Sequence, residues 1–395
     1  MTATHEVHST VGASPVLYLA FELGWTTWKL AFTIGLGQKP RLRTIPARSL
    51  ASLAIEIRKA KERFGLREDT RVVSCYEAGR DGFWLHRYLA HEGIGNLVVD
   101  SASIEINRRK RRAKSDRLDA SKLVTMLIRW HLGDRKVWCT VHVPSPEAED
   151  GRQFHRGLID LKAERTRHSN RIKGLLAGVG LSILVDAKLV ARLSLLRQWD
   201  GQPVPEQLQH RILGEFERWK LVDRQIRDRD NQRARAVRRP DQPEVEKVRR
   251  LMRLKGVASN GAWILVREFF AWRQFGNRRE LGGLAGLTPT PYSSGETQQE
   301  QGISKAGNKR VRWLMIELAW GWLRYQPESG LSRWYQERFG QGNSRTRRIG
   351  IVALARKLLI AFWRYLEFDE VPEGAELVDL EEKLDSRRRA ARQAS

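Results

Sequence analysis

Four carboxylates stand at positions where chemistry can be done. Glu22 closes an apolar run, Glu77 closes another just ahead of a glycine turn, and Asp116 and Asp119 lie three residues apart. On a helix, an i, i+3 pair shares one face, and both aspartates fall in the first turn of a stretch with helical apolar spacing. Hard oxygen ligands of this kind hold Mg²⁺ (or Mn²⁺), often as a pair of ions about 3.5–4 Å apart, and such centres break phosphodiester bonds. The pattern also has a plainer meaning, since acids commonly end strands and complement the positive end of a helix. The preceding segment favours the chemical one. Arg108, Arg109, Lys110, Arg111, Arg112 and Lys114 run directly into the aspartate pair, and cations there would hold phosphates that the acids alone would repel.

A second candidate lies far downstream. Ser293 and Ser294 occur in T-P-T-P-Y-S-S-G-E-T, read as a Pro/Gly loop between helical stretches. A loop serine is ordinarily a turn former, and a hydroxyl becomes a nucleophile only beside a base, a metal or cations. Lys305, Lys309, Arg310 and Arg312 follow closely and would stabilise charge on a phosphate. The histidines show no HxxxH or HExxH spacing, and His168 reads as a packed residue rather than a ligand. Trp313, Trp320, Trp322 and Trp334 have helical spacing and read as core in preference to base-stacking platforms.

The elements that must position these groups follow from periodicity. Residues 16–22, 26–34 and 41–45 read as an antiparallel three-strand meander. A helix over 49–63 capped by Ser49, a strand over 70–76, a helix over 82–91, a strand over 96–100 and a helix over 115–130 come next. That order is the order of an RNase H-like mixed sheet, in which the first and fourth strands are neighbours and the last helix packs beside them. Beyond a connector at 143–149, Phe154, Leu158, Leu161, Arg165, His168, Ile172 and Leu175 step by fours and threes. Leu208, Ile212, Phe216, Trp219, Val222 and Ile226 repeat the pattern, predicting an antiparallel helical arm. A charge-dense break at 233–243 then leads to a helical region with a Gly-rich loop in its middle. The fold class is therefore α/β plus α. The expected division is a disordered 1–14, a mixed-sheet domain over 15–142, a coiled-coil-like arm over 150–235, a mainly helical domain over 246–368, and an acidic then basic, disordered tail over 369–395.

Composition limits the function. The chain has 71 Lys and Arg against 46 Asp and Glu, a net charge of +25, which points to a polyanionic partner, nucleic acid first. Hydrophobic residues at 41% are enough for packed cores, which excludes a disordered basic tail. Cys75 and Cys139 cannot build a disulfide framework. No apolar run reaches the roughly 18 residues of a membrane span; Arg356, Lys357 and Arg364 interrupt the best one. With no signal-like start, the expected location is the bacterial cytoplasm, at the nucleoid.

The segments Y-E-A-G at 76–79, K-S-D-R-L-D-A at 114–120, N-R-I-K-G-L-L at 170–176, G-L-T-P at 286–289, S-S-G at 293–295 and I-S-K-A-G-N-K-R-V-R at 303–312 resemble the DEDD transposases of the insertion sequence 110 family. The resemblance spans roughly residues 16–365. It implies a RuvC-like N-terminal domain, a helical linker and a C-terminal transposase domain with a nucleophilic serine before glycine, which selects Ser294 over Ser293. Glu77, Asp116 and Asp119 match the second to fourth acids of the family, and Glu22 stands where aspartate is usual. The extra methylene moves that carboxylate outward by roughly 1.5 Å. The resemblance further implies donor and target DNA, a structured noncoding guide RNA encoded by the element, and a homodimer or homotetramer that pairs two DNA sites. Two other readings stay open: a RuvC-like structure-selective endonuclease or DNA invertase, and a non-enzymatic nucleic-acid-binding protein whose acids are structural. The hairpin-like segment at 254–262 resembles a helix-hairpin-helix turn with Ala258 at its second glycine position; a simple packing role fits it equally.

Overall fold

A computed structural model describes residues 14–104, 116–294 and 297–393, without the side chains of 102, 116–118, 291–301 and 387–393. The chain divides into two compact units, residues 1–143 and 144–395. The basic run at 108–114 and nearly all of the expected N-terminal extension lie outside the described residues.

The first unit is built on a five-stranded mixed sheet. Strands β1 (Leu17–Leu23), β2 (Thr27–Thr33) and β3 (Arg41–Pro46) form an antiparallel meander; helix α1 (Leu50–Arg63), strand β4 (Val72–Glu77), helix α2 (Trp84–His91), strand β5 (Gly95–Val99) and helix α3 (Asp116–His131) follow. The order across the sheet is β3-β2-β1-β4-β5, with β4 and β5 parallel to β1. The central strand has helices over both faces, so β1 reads as a nearly continuous apolar run. Leu17, Leu19 and Phe21 share a core with Leu53 of α1 and Leu85 and Leu89 of α2. Tyr18 and Ala20 share the opposite core with Ala120, Leu123, Val124 and Leu127 of α3. Ser49 caps α1 as expected, its hydroxyl accepting from the Ser52 amide, which satisfies one of the unpaired donors of a helix start.

The second unit opens with helix α4 (Pro146–Ala177), followed by α5 (Leu189–Leu195) and α6 (Glu206–Arg238). The helix begins inside the expected connector because Ser145 caps it and Pro146 stands at N1, where a missing N–H costs nothing. Likewise α6 runs unbroken to Arg238, through residues expected to be a break: the arginines and alanines there are good helix formers. The two long helices pack antiparallel, as expected. Arg229 donates to the Phe154 carbonyl at one end of the pair, and Trp219 donates to Ser169 Oγ (2.9 Å) further along. Leu158, Ile172, Phe216, Val222 and Ile226 fill the seam. Charged groups lie within it: Arg165 holds Asp223 at 2.6 Å, and His168 meets Glu215 at 2.8 Å, so His168 is a packed residue.

Beyond it come α7 (Pro243–Arg253), α8 (Ser259–Leu265) continued by a π-helical turn (Val266–Phe270), and α9 (Arg278–Ala285). Strands β6 (Pro289–Ser294) and β7 (Thr297–Ile303) form a hairpin, followed by α10 (Lys309–Tyr325), α11 (Gly330–Tyr335), α12 (Ser344–Phe368) and α13 (Leu380–Gln393). Their core joins Leu251, Phe269, Met315, Leu354 and Phe362. The 254–258 turn links two ordinary helices and is covered: the Lys255 amide donates to the Glu376 carbonyl, and Lys383 donates to the Met252 and Val257 carbonyls.

Those contacts correct the expectation of a disordered tail after residue 368. Leu380 and Leu384 lie in the core of the unit, and Glu376, Glu373 and Glu381 pair with Lys255, Arg333 and Arg249. The acids that made the tail look unfoldable are matched by cations elsewhere in the unit. Ending the chain at Asp369 should therefore lower unfolding stability by about 3 kcal/mol or more, the worth of two buried leucines; urea denaturation unchanged by that truncation would refute the docking.

Candidate functional site

The sheet register brings the first two acids together. Phe21 pairs with Tyr76 across the parallel β1–β4 ladder, so Glu22 and Glu77, one residue on in each strand, are neighbours at the same sheet edge, about 4.8 Å apart along the hydrogen-bonding direction. Alternation sets their face. Ala20 and Cys75, two residues back, both lie in the core beneath α3, so Glu22 and Glu77 are on the α3 side.

Helix α3 runs opposite to these strands. Its last residue, His131, bonds Tyr18 Oη near the start of β1 (2.7 Å), and the Leu123 carbonyl lies 3.9 Å from Cys75 Sγ. Asp119 is four residues before Leu123, about 6 Å back along the helix. Glu77 is two residues beyond Cys75, about 6.6 Å along the strand. The two displacements run the same way, so Asp119 stands over the edge that carries Glu22 and Glu77. Asp116 begins the same helix one turn earlier; its side chain lies outside the described residues. The donor set has the right chemistry for a hard divalent cation. Among the described residues, however, no three acidic, histidine or cysteine side chains close on a single point as a metal cage. Cys75, beneath them, is buried, and burial with the Glu77 charge pushes its thiol well up, so it remains protonated and contributes no ligand.

Three residues at this edge were not singled out from the sequence. Trp25, in the β1–β2 turn, is 65% exposed and has the guanidinium carbons of Arg48 and Arg80 at 4.9 and 4.8 Å from its ring. Asp81 holds both arginines at 3.2 Å. No spacing in the sequence could join positions 25, 48 and 80; only the strand order does.

Ser293 and Ser294 were expected in a loop, and here the structure differs. They are the last residues of β6, backbone-paired with Gln298 and Thr297 of β7; Gly295 and Glu296 lie outside the described residues. Pro289 and Pro291, which suggested a loop, are accommodated by an irregular register between them. The hairpin is closed at its base. Gly286 ends α9 in the left-handed conformation (φ +69°), and Gly307 precedes α10 with φ +94°. A Cβ on Gly286 would lie 2.1 Å from the Ala306 carbonyl oxygen, and one on Gly307 would lie 2.2 Å from that of Leu284. The two backbones therefore touch, and the Asn308 and Ser304 amides donate to the Leu284 and Thr288 carbonyls at 2.7 and 2.9 Å.

The cations after the serines divide. Lys305 and Lys309 are exposed. Arg312 donates to the Lys305 carbonyl at 2.8 Å and so helps close the hairpin base; Arg310 is half-buried. Asn308 caps α10 through the amides of Arg310 and Val311, and its own amide group donates to Glu268 Oε2 (3.1 Å). Glu268 sits on the π-helical turn with no exposure, held by both arms of Arg156 at 2.8 and 2.9 Å. Burial pushes its carboxyl up, but the Arg156 fork and Asn308 outweigh burial and hold it below the usual glutamate range. Sequence reading missed Glu268 and Arg156, because a single acid inside an apolar helix carries no pattern; π-helical turns do gather at functional sites. The four expected acids lie in the first unit and both serines in the second. Of the tryptophans, Trp322 is core as expected and Trp334 is partly buried against it, whereas Trp313 and Trp320 are about half exposed.

Comparison with known proteins gives the class, which is transposase. A protein of Sinorhizobium fredii named "Putative transposase y4rJ" is 40% identical over 379 residues, 91% of this chain and 94% of that protein. The Yersinia enterocolitica transposase for insertion sequence element IS1328 is 24% identical over 229 residues, covering 57% of this chain and 66% of its own length. The Leptospira borgpetersenii transposase for insertion sequence element IS1533 is 26% identical over 134 residues, 34% of this chain and 37% of that protein. The chain belongs to the IS116/IS110/IS902 transposase family, and residues 248–336, which include the serine hairpin and Asn308, match the family's description. Among the described residues, no helix is long and apolar enough to cross a membrane.

Replacing Glu268 with Gln should cost about 3 kcal/mol at pH 7, since it removes the buried carboxylate that neutralises the half-buried Arg156 guanidinium. A carboxyl held low stabilises the fold above its unfolded pKa and loses that contribution as pH falls through the folded one. The gap between wild type and Glu268→Gln should therefore narrow below about pH 4.3. Denaturation curves at pH 7 and pH 3.5 with equal gaps would refute the charged pairing.

Proposed function

We propose that this chain is the DNA transposase of an insertion sequence, cleaving and rejoining strands through Ser294, with Glu22, Glu77, Asp116 and Asp119 as ligands of Mg²⁺ or Mn²⁺. The observation that carries the proposal is the shared sheet edge of Glu22, Glu77 and Asp119, on a chain whose family is transposase. A bound divalent cation would supply charge stabilisation at a phosphoryl oxygen. The remaining work falls to the chain's own groups. Exposed Lys305 and Lys309, just past β7, hold the scissile phosphate. Ser294 Oγ forms the bond to phosphorus, and the strand's sugar hydroxyl leaves with the proton. The phosphoserine ester conserves the bond energy, so a second strand's hydroxyl can displace serine and rejoin DNA with no external energy source. The domain expectations enter here as well: an RNase H-like (RuvC-like) sheet domain, the helical arm and a serine-bearing C-terminal domain.

Selection of ends and targets is assigned to a structured noncoding guide RNA, and pairing of two DNA sites to a homodimer or homotetramer. Trp25 with Arg48 and Arg80 suits an unpaired base and its phosphate at the acid edge.

Denaturing gels after incubation with element-end DNA and the element's noncoding RNA test the proposal. Wild type should give a covalent protein–DNA adduct, Ser294→Ala none, and Asp119→Asn should lower cleavage at least about a hundredfold. An adduct that persists in Ser294→Ala removes serine from the chemistry. Metal-dependent junction cutting that ignores Ser294 favours the structure-selective endonuclease, and no cleavage together with DNA binding untouched by Asp119→Asn favours a non-enzymatic binder.

A further inference from the structure

The second unit contains a cavity of about 230 Å³ between α4, α6 and α8, lined among others by Asp150, Gly151, His155, Arg233, Trp263 and Arg267. His155, Arg233 and Trp263 are 1%, 5% and 5% exposed, and one donor on each, His155 Nε2, Arg233 Nε and Trp263 Nε1, has no hydrogen-bond partner. The histidine tautomer follows from its neighbour. Arg233 Nη2 bonds His155 Nδ1; a guanidinium only donates, so Nδ1 is the acceptor and Nε2 carries the hydrogen. All three orphans are therefore N–H donors. Buried donors are nearly always satisfied, and three around one cavity mark a place for an acceptor.

Charge points the same way. The Trp263 ring has the guanidinium carbons of Arg233 and Arg267 at 5.7 and 5.4 Å. Burial and the Arg267 charge pull Arg233 down to about 10, which leaves it cationic at neutral pH and repelled by its neighbour. The nearest carboxylate to Arg233, Asp230, is at 3.8 Å; half-buried Glu244 and exposed Asp150 act on Arg267, with water and salt screening the exposed one. The donors come from three different helices, α4, α6 and α8, and a tetrahedral oxyanion can take hydrogen bonds from more sides than the flat pair of oxygens of a carboxylate.

We propose that this cavity is a phosphate-binding site, formed by Arg233, Arg267, His155 and Trp263, none of them among the acids, serines and cations assigned to the chemistry. The phosphate is either free in solution or part of a DNA strand. Gly151 provides the room: a Cβ there would lie 2.7 Å from Arg267 Nη1 and displace the guanidinium. Ala is also the better helix former at this position in the second turn of α4, so Gly151→Ala weakens the site without weakening α4.

Calorimetry of the full-length chain in chloride buffer, titrated with inorganic phosphate, tests this. Wild type should bind one phosphate, and Gly151→Ala and Arg233→Lys should each bind it about tenfold or more weakly, the loss expected for a charge-assisted hydrogen bond. Circular dichroism and melting in chloride serve as the folding control. If the phosphate belongs to DNA, an unphosphorylated duplex displaces inorganic phosphate, and Gly151→Ala also weakens duplex binding. If it is free, duplex and phosphate bind together and the duplex affinity is unchanged by Gly151→Ala. Either result supports the site. No phosphate binding, equal affinity in Gly151→Ala, or a phosphate-soaked crystal with only water on the three donors would overturn it.

Discussion

A carboxylate sealed from water, Glu268, ties the second unit together. Its two oxygens take both arms of Arg156 from α4 and the amide of Asn308 at the start of α10, so one side chain fixes the long helical pair, the π-helical turn and the segment that leaves the hairpin. Water cannot replace any of these partners. The arrangement is all or none, as buried ion pairs are: weak as a net source of stability, strongly directional in what it permits. The same logic recurs along the α4–α6 seam, where Asp223 takes Arg165 and Glu215 takes Arg171 and His168 across the two helices.

The first unit relies on a different constraint, the registry of parallel strands. Because β1 and β4 pair in step and α3 returns antiparallel to both, residues distant in sequence meet at one edge. The strand end determines where the Glu22 carboxylate begins.

Much of this was legible in the sequence, wherever apolar period and capping agreed. The β1–β5 order, the Ser49 cap and the two seam helices follow from repeats of two and of three to four residues, and the partnership of Glu22 with Glu77 follows from the strand order. What escaped had physical reasons. Pro289 and Pro291 argued for a loop, yet a two-stranded hairpin has edges that tolerate proline. The acidic tail looked unfoldable because its cations, Lys255, Arg249 and Arg333, are supplied from elsewhere in the chain. Glu268, Arg156 and the Trp25 stack are tertiary in origin, each made from positions that share no local pattern.

The closed base of the serine hairpin has one further consequence. Two glycines and a set of main-chain bonds clamp the strands where they leave α9 and enter α10. Ile303, at the end of β7, packs against the core of the unit and adds a side-chain contact to this joint. The place of the β6 end is thus set by a backbone joint rather than by side chains along the strands, so substitutions at the joint would re-aim the whole hairpin as one lever.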